Sequence, residues 1–298
     1  MDKKMLVIST IITIVVVGVV GFGLSQQIST SNVNLTQQLS NINYKIDQLY
    51  DNKGLTQTIY TLRDSVVEIL VPITPSNKAN FIQTTELYVD NNGNVWGSGG
   101  AGFVIRSDGY ILTAKHVIEN SPTILVVLSN STKLSAQIIT SNIFFGNEDL
   151  DMAIIKVNYN LTPVELGTSD SYDVGSNVAF IGYPFFSSAQ VTHEGIISFK
   201  GLRNNKPTIT VNSFVNSGNS GSPVFLVNSG KVIGIINGRE NLAGIQTANI
   251  PSNISYEFQL VLQTQNNIIN AMNQNIQSGV GIATPVDSGI LNNLPPKA

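Results

Sequence analysis

The stretch GSGGAGFVIRSDGYILTAKHVI, residues 97–118, contains two apolar segments, GFVIRS and YILT, on either side of an aspartate-glycine pair. Aspartate and glycine favour tight turns, and β-branched and aromatic residues favour strands, so the stretch predicts a β-hairpin. Its second strand leads into AKHVI, which predicts a short helical turn carrying His116. A lone histidine after a strand is usually structural, so partners have to be sought elsewhere in the chain.

Similar short segments recur from about residue 60 onward. The predicted strands are residues 66–72, 102–107, 110–113, 123–128, 152–157, 177–183, 191–199, 208–214, 223–227 and 231–236. Many short strands at this spacing favour an antiparallel barrel or sandwich, that is, an all-β fold. The clearest helical pattern lies late, within residues 256–277.

The composition narrows the possible chemistry. The 298 residues include no cysteine, which excludes disulfides, thiolate catalysis and cysteine-ligated zinc. A net charge of −3 gives no sign of a nucleic-acid partner. The segment DNNGN, residues 90–94, looks like a calcium loop but lacks the acidic residue of its twelfth position, so it predicts a hairpin turn. No metal and no cofactor are expected.

The N-terminus predicts a membrane anchor. Residues 5–24 carry no charge and are long enough to span a bilayer as a helix. Lys3 and Lys4 precede this run and no basic residue follows before Lys45, so the N-terminus is expected in the cytoplasm and the rest outside. A cleaved signal peptide, giving a secreted protein, is the alternative. The tip and transmembrane anchor are assigned to residues 1–25.

Residues 26–57 are assigned to a helical stalk. Apolar residues alternate there at four- and three-residue intervals, as in a coiled coil. The predicted heptad positions are Ile28, Leu35, Ile42 and Leu49 at d, and Asn32, Leu39 and Ile46 at a. The pattern predicts a homo-oligomer held together by the stalk. One amphipathic helix lying on the globular domain is the alternative.

A histidine that acts as a base needs a carboxylate to fix its tautomer. The segment NEDLDMAIIKV offers Glu148, Asp149 and Asp151. Asp151 directly precedes a buried-type strand, where its carboxylate would be held rigidly, and Asp149 is the second candidate. Acidic residues also commonly cap strands, which leaves a purely structural role open.

The segment GNSGSPVF, residues 218–225, offers a nucleophile. A serine hydroxyl needs a base to take its proton and donors to bind the oxyanion. Ser220 is the candidate nucleophile, for which His116 would be the base. The N–H groups of Gly218 and Ser220 could converge on one oxygen and act as the donors. The chain order His, Asp, Ser differs from the orders of α/β-hydrolases and subtilisins.

Together these motifs resemble the chymotrypsin-fold serine proteases, especially their HtrA/DegP-like branch. Residues 97–118 are similar to that branch's glycine-rich strand pair, DLDMAIIKV to its aspartate strand, and GNSGSPVFLVNSGKVIGI to its nucleophile loop. VGSNVAFIGYPF, VTHEGIISF and the tail SGVGIATPVDSGILNNL resemble its second-barrel strands and closing helix. The resemblance covers roughly residues 60–298.

This resemblance implies two six-stranded antiparallel β-barrels with the site in the cleft between them. The protease domain would be residues 58–298, with an N-terminal barrel at about 60–160 and a C-terminal barrel at about 161–298. The implied activity is that of a serine endopeptidase acting on extracytoplasmic polypeptides, with a possible role in protein quality control. A catalytically silent or chaperone-like polypeptide-binding module is the alternative.

The implied triad is His116, Asp151 and Ser220, in which Asp151 orients His116 and His116 shuttles the proton of Ser220. The implied oxyanion hole is Gly218, Asn219 and Ser220. Ser222 departs from the family's usual glycine, residues 240–277 form a helical insertion, and the chain is too short for the PDZ domain that commonly follows.

The substrate pocket can be placed only by spacing. Phe214, six residues before the nucleophile, and Val215 stand where trypsin-type enzymes carry an acidic floor. With Ile236, Asn237 and Gly238 they predict a pocket for medium-sized aliphatic side chains. The substrate is expected to add a strand along the edge near residues 236–238.

Overall fold

A computed structural model describes residues 3–50, 54–75, 77, 87–185, 187, 189–239, 249–275 and 279–296. The chain divides into two compact units, Met1–Asn52 and Lys53–Ala298. The predicted insertion at 240–277 falls partly outside the described residues.

The first unit is one helix, α1, from Lys3 to Tyr50. At 1.5 Å per residue, its 48 residues extend for about 72 Å. Its segment Thr13–Ser40 is long and apolar enough to cross a membrane, by length and composition. Leu35 and Leu39 of the predicted heptad are exposed in the single chain. The side chains of Ile28, Ile42, Ile46 and Leu49 lie outside the described set, and stalk association stays a prediction.

The second unit is built mainly of strands. Its described helices are α2 (Leu55–Leu62), α3 (Lys115–Ile118) and α4 (Tyr256–Asn275). Its described strands are β1 (Val66–Pro72), β2 (Tyr88–Val89), β3 (Val95–Arg106), β4 (Tyr110–Ala114), β5 (Ile124–Val127), β6 (Lys133–Thr140), β7 (Phe144–Phe145), β8 (Glu148–Asp149), β9 (Met152–Val157), β10 (Asn177–Gly182), β11 (Val191–Arg203), β12 (Lys206–Val211), β13 (Pro223–Leu226), β14 (Val232–Arg239) and β15 (Gly281–Pro285).

These strands form two antiparallel barrels. The first follows the order β1-β5-β6-β9-β4-β3 and closes through pairing of β1 with β3, and β2 extends it beside β3. The second is the closed barrel β10-β11-β12-β15-β14-β13. The expected fold of two six-stranded antiparallel barrels is confirmed.

The apolar side chains form three clusters, which follow from the two faces of each strand. One fills the first barrel and includes Val67, Ile69 and Ile111. Another fills the second barrel and includes Phe180 and Ile209. The third lies between the barrels and draws on both. It includes Phe103, Leu112 and Ile154 of the first barrel, and Ala179, Phe225 and Ile235 of the second. Because burying one such large side chain contributes about 1.5–3 kcal/mol, this third cluster holds the barrels together.

Helix α2 also bridges the two barrels, although the stalk was expected to continue to residue 57. Leu62 is buried in the cluster between the barrels, and Leu55 and Ile59 pack against it. Thr58 is fully buried, and its hydroxyl donates to Val227 O of the second barrel at 3.0 Å. The segment that leads into β1 of the first barrel is therefore fastened to the second.

Strand β6 was not among the predicted strands. Its sequence KLSAQIIT has no run of apolar residues, and Leu134 and Ala136 pack only partly against the first-barrel interior. β3 begins earlier than predicted because its glycines continue the strand instead of preceding it. The predicted helix 256–277 is α4, with Tyr256, Phe258 and Val261 exposed along it.

Candidate active site

The register of β4 and β9 brings His116 to Asp151. Thr113 pairs with Ala153 and Ala114 with Met152, so the next residues, beyond the ends of both strands, stay adjacent. His116 Nδ1 lies 2.7 Å from Asp151 Oδ2, and the backbone N–H of His116 donates to Asp151 Oδ1 at 3.0 Å. The carboxylate therefore forms hydrogen bonds with both the ring and the backbone of the histidine. Nε2 is the ring nitrogen that remains available to exchange a proton on the side away from Asp151.

The second aspartate candidate has a different partner. Asp149 Oδ2 lies 2.5 Å from Lys115 Nζ. Asp149 Oδ1 accepts the backbone N–H of Asp151 at 2.9 Å. The structure thus places Asp151 beside His116, and Asp149 behind Asp151.

Ser220 is fastened to the first barrel through its backbone. The N–H of Ala101 in β3 donates to Ser220 O at 2.8 Å. A Cβ on Gly100 would lie 2.6 Å from that same oxygen, so the glycine is what allows the approach. A Cβ on Gly221 would lie 1.9 Å from Ala101 O. The glycines at 100 and 221 therefore bring the serine loop against the hairpin that leads to His116.

The loop around Ser220 consists of two successive turns. Asn219 N donates to Asn216 O at 3.0 Å, and Ser222 N donates to Asn219 O at 3.1 Å. The third residue of each turn is a glycine with positive φ, +94° at Gly218 and +87° at Gly221. A positive φ at this position is what a type II turn requires, and glycine adopts it without steric cost.

The first turn orients one predicted oxyanion donor. Phe185 N donates to Ser217 O at 2.9 Å. The C=O and N–H of a trans peptide point in opposite directions, so the Gly218 N–H points away from residues 183–185. The N–H of Asn219 donates to Asn216 O within the turn, so the N–H groups of Gly218 and Ser220 are the remaining candidate donors of the predicted set.

Ser222, which the sequence left unexplained, is fully buried beside Asn219. A Cβ on Gly182 would lie 2.2 Å from Ser222 Oγ and 2.7 Å from Asn219 Oδ1, so both side chains pack over that glycine. Spacing alone offered no signal for this contact, because Gly182 belongs to β10, 40 residues before Ser222.

The predicted pocket residues lie in different surroundings. Val215 and Ile236 belong to the interior cluster of the second barrel. Phe214 is 55% exposed, and the Asn237 amide donates to Thr284 Oγ1 at 2.6 Å. A Cβ on Gly238 would meet only Ile282, at 3.9 Å. Phe214 is therefore the apolar side chain of this set that reaches the surface.

His193, the other histidine, lies in the second barrel. Its ring stacks on Phe180 with centroids 4.9 Å apart, and burial lowers its pKa.

A cavity of about 550 Å³ lined by Leu150, Tyr172 and Leu202, among others, does not include the triad side chains. Among the described residues, no group of three or more acidic or histidine side chains could hold a metal ion.

Tyr183 is buried in the cluster between the barrels, and its ionisation predicts a pH effect on stability. Burial raises its pKa to about 12, although a hydrogen bond from Gln190 lowers it somewhat. Since the unfolded pKa is near 10, the neutral phenol stabilises the fold fully below pH 10, and this stability is lost as pH rises toward 12. The loss is on the order of 2 kcal/mol.

Denaturant unfolding of the full chain in mild detergent at pH 8 to 12, for wild type and Tyr183→Phe, measures this loss. The difference between the two proteins isolates Tyr183 from the lysines that titrate in the same range. Equal pH dependence in both would contradict the prediction.

The chain is similar to known proteins in sequence and in fold. Residues 100–235 match the family model described as a trypsin-like peptidase domain. A probable periplasmic serine endoprotease DegP-like from Pseudomonas putida (strain W619) is 41% identical over 141 residues, 46% of this chain and 28% of that protein. The corresponding protein of Hahella chejuensis (strain KCTC 2396) is 40% identical over 143 residues, 46% of this chain and 29% of the relative. The match thus spans less than a third of the length of these relatives.

Among solved structures, the HtrA-type protease AlgW with a decapeptide superposes with a TM-score of 0.54. The identity is 20%, and the superposition covers 78% of this chain and 64% of that one. At this identity the likeness shows the fold, which agrees with the two barrels described above.

Proposed function

We propose that this chain, whose two barrels have the chymotrypsin fold and whose residues 100–235 match a trypsin-like peptidase domain, is a serine endopeptidase of the HtrA-like branch. The observation that carries the proposal is the 2.7 Å contact between His116 Nδ1 and Asp151 Oδ2 beside the docked Ser220 loop. The serine endoprotease names of the relatives support the same activity.

In the proposed mechanism, Ser220 Oγ attacks the scissile carbonyl while His116 Nε2 takes its proton. Asp151 holds the ring in the tautomer that has Nε2 free and stabilises the imidazolium that forms. His116 then gives the proton to the leaving amine, and the acyl group remains on Ser220. Water, deprotonated by His116, hydrolyses this ester and restores the serine.

The negative charge that develops on the carbonyl oxygen needs backbone donors. The N–H groups of Gly218 and Ser220 are assigned this role. The hydrogen bond between Phe185 N and Ser217 O supports it, because that bond fixes the direction of the Gly218 N–H. One such donor is worth about 2.7–4 kcal/mol of barrier lowering in serine proteases.

The proposed substrates are extracytoplasmic polypeptides, cleaved after medium-sized aliphatic residues. Phe214 is exposed and stands six residues before Ser220, where trypsin-type enzymes carry an acidic residue, and this supports a preference for apolar side chains. The periplasmic names of the relatives and the apolar part of α1 support export or anchoring. A single span with the N-terminus inside, and oligomerisation through residues 26–57, complete the proposal.

The activity is tested at Ser220. The full chain in mild detergent is expected to react with a fluorophosphonate probe and to cleave β-casein, and Ser220→Ala is expected to do neither. Ser229→Ala, which changes a serine in the loop between β13 and β14, is the matched control and is expected to label like wild type. An unlabelled wild-type protein that is folded by circular dichroism would refute the endopeptidase proposal. Preference for unfolded casein over a folded substrate would support quality control.

The anchor is tested by sequencing the mature N-terminus of the expressed protein. A terminus at Met1 or Asp2 supports the anchor. A terminus near residues 24–26 would replace it with a secreted enzyme.

A further inference from the structure

Residues 149–151 end in the proposed triad aspartate, and the backbone carbonyl of each of them accepts a hydrogen bond. Lys206 Nζ donates to Asp149 O at 2.7 Å. Asn237 Nδ2 lies 3.4 Å from Leu150 O, and Lys115 N donates to Asp151 O at 3.0 Å. Lys206 belongs to β12 and Asn237 to β14, so two of these donors come from the barrel opposite to the one that carries Asp151.

The backbone of Asp151 needs this restraint. Its φ is +54°, in the left-handed region that residues other than glycine adopt only rarely. Without external contacts, the residue would relax to a right-handed or extended conformation and turn its carboxylate away from His116. A strained residue persists only where its surroundings fix it.

The Asp149 side chain supplies one of the fixing contacts by accepting the Asp151 N–H. Burial on its own raises the pKa of Asp149, but the bonds from Lys115 and the Asp151 N–H outweigh burial and lower the pKa overall. The pKa of Lys115 is raised mainly by the same bond. The ion pair therefore stays charged at neutral pH, and Lys206 anchors the same residue through its carbonyl.

We propose that Lys206 is a positioning residue for the triad, acting from the second barrel by holding Asp149 and, through it, the strained backbone of Asp151. The inference rests on the proposed function, since it assigns Lys206 to the same reaction. Its consequence is that His116 is oriented correctly only while the β11–β12 hairpin is docked against residues 149–151.

Lys206→Met in the full chain tests this directly. Methionine keeps an unbranched apolar side chain and removes the ammonium. We expect kcat/KM for a peptide substrate to fall roughly 10- to 100-fold, mostly in kcat, because small misplacements of catalytic groups have effects of that size. Lys206→Arg, which keeps a long cation, is expected to recover most of the loss.

Lys231→Met is the matched control. Lys231 is also in the second barrel and also ion-paired, with Glu165 at 2.9 Å, but at the exposed surface. It is expected to leave kcat/KM within twofold of wild type.

A second measurement reports on Asp151 without any need for turnover. The His116 Nδ1 proton that is hydrogen-bonded to Asp151 is expected to give a far-downfield NMR resonance, and His193→Gln removes the other histidine as a source. We expect Lys206→Met to shift or broaden this resonance, and Lys231→Met to leave it unchanged.

The outcomes separate the two proposals. If Lys206→Met alters the resonance while the wild type cleaves nothing, the positioning stands and the endopeptidase proposal fails. If Lys206→Met lowers the unfolding temperature and activity but leaves the resonance as in wild type, Lys206 is merely structural and the inference is overturned. Wild-type activity and resonance in Lys206→Met overturn it as well.

Discussion

Asp151→Asn is expected to lower kcat/KM for peptide hydrolysis by about 10⁴-fold without unfolding the protein. The Asp151 carboxylate accepts the His116 Nδ1–H at 2.7 Å, which leaves Nε2 free to take the Ser220 proton. Asparagine can present its amide N–H₂ to the ring, which favours the tautomer with the proton on Nε2. That tautomer cannot act as a base.

Asparagine is the suitable replacement because it changes little else. It tolerates a positive φ such as the +54° of Asp151, and its oxygen can still accept the His116 backbone N–H. Asp170→Asn, an exposed acidic residue of the second barrel, is the charge-matched control and should keep wild-type kinetics. Steady-state kinetics with thermal unfolding of the full chain in detergent checks the prediction. An Asp151→Asn protein within tenfold of wild type would show that Asp151 does not orient the base.

Gly221→Ala is expected to have the largest effect on stability, roughly 2–5 kcal/mol, together with a loss of activity of more than about 10²-fold. The added Cβ would lie 1.9 Å from Ala101 O and 2.8 Å from Thr113 Oγ1. These atoms belong to the hairpin that leads to His116. The residue also sits at φ +87°, so the methyl group strains the backbone as well. Relief requires the Ser220 loop to move away from the first barrel.

Gly175→Ala separates the effect of backbone strain from the effect of a steric clash of the added Cβ. Gly175 has nearly the same φ, +90°, but a Cβ there would meet nothing within 4 Å. It should cost only the strain, about 1–2 kcal/mol, and leave kcat/KM unchanged. Denaturant unfolding and peptide kinetics on both variants measure the comparison. Equal destabilisation by the two substitutions would mean that the approach of Gly221 to Ala101 contributes nothing.

The local motifs predicted most of the fold. The alternation and turn residues of 97–118 predicted β3, β4 and α3, and the charged segment before residues 152–157 placed Asp151 at the start of β9. These features depend on neighbours in sequence, which is why they could be predicted. The pairing of β4 with β9 then turns two local predictions into one contact, between His116 and Asp151.

The contacts between segments that are distant in sequence could not be predicted. Lys206 reaches Asp149 in the other barrel over 57 positions, and Ser222 packs against Gly182 of β10 within the second barrel. Neither spacing nor residue type marks such partners, because they are set by how distant parts of the folded chain meet. β6 was missed for a related reason, since pairing on both sides forms a strand from a sequence with few apolar residues.

The cluster between the barrels has a consequence for how this domain can change over time. Phe103 and Leu112 pack in one cluster with Ala179 and Phe225. Each barrel on its own would therefore expose an apolar face that the other barrel covers. Exchanging one barrel for its counterpart from another protein would require matching substitutions on the opposite face at once. Substitutions in this cluster are therefore expected to be coupled between the two barrels, whereas substitutions in the exposed loops are not.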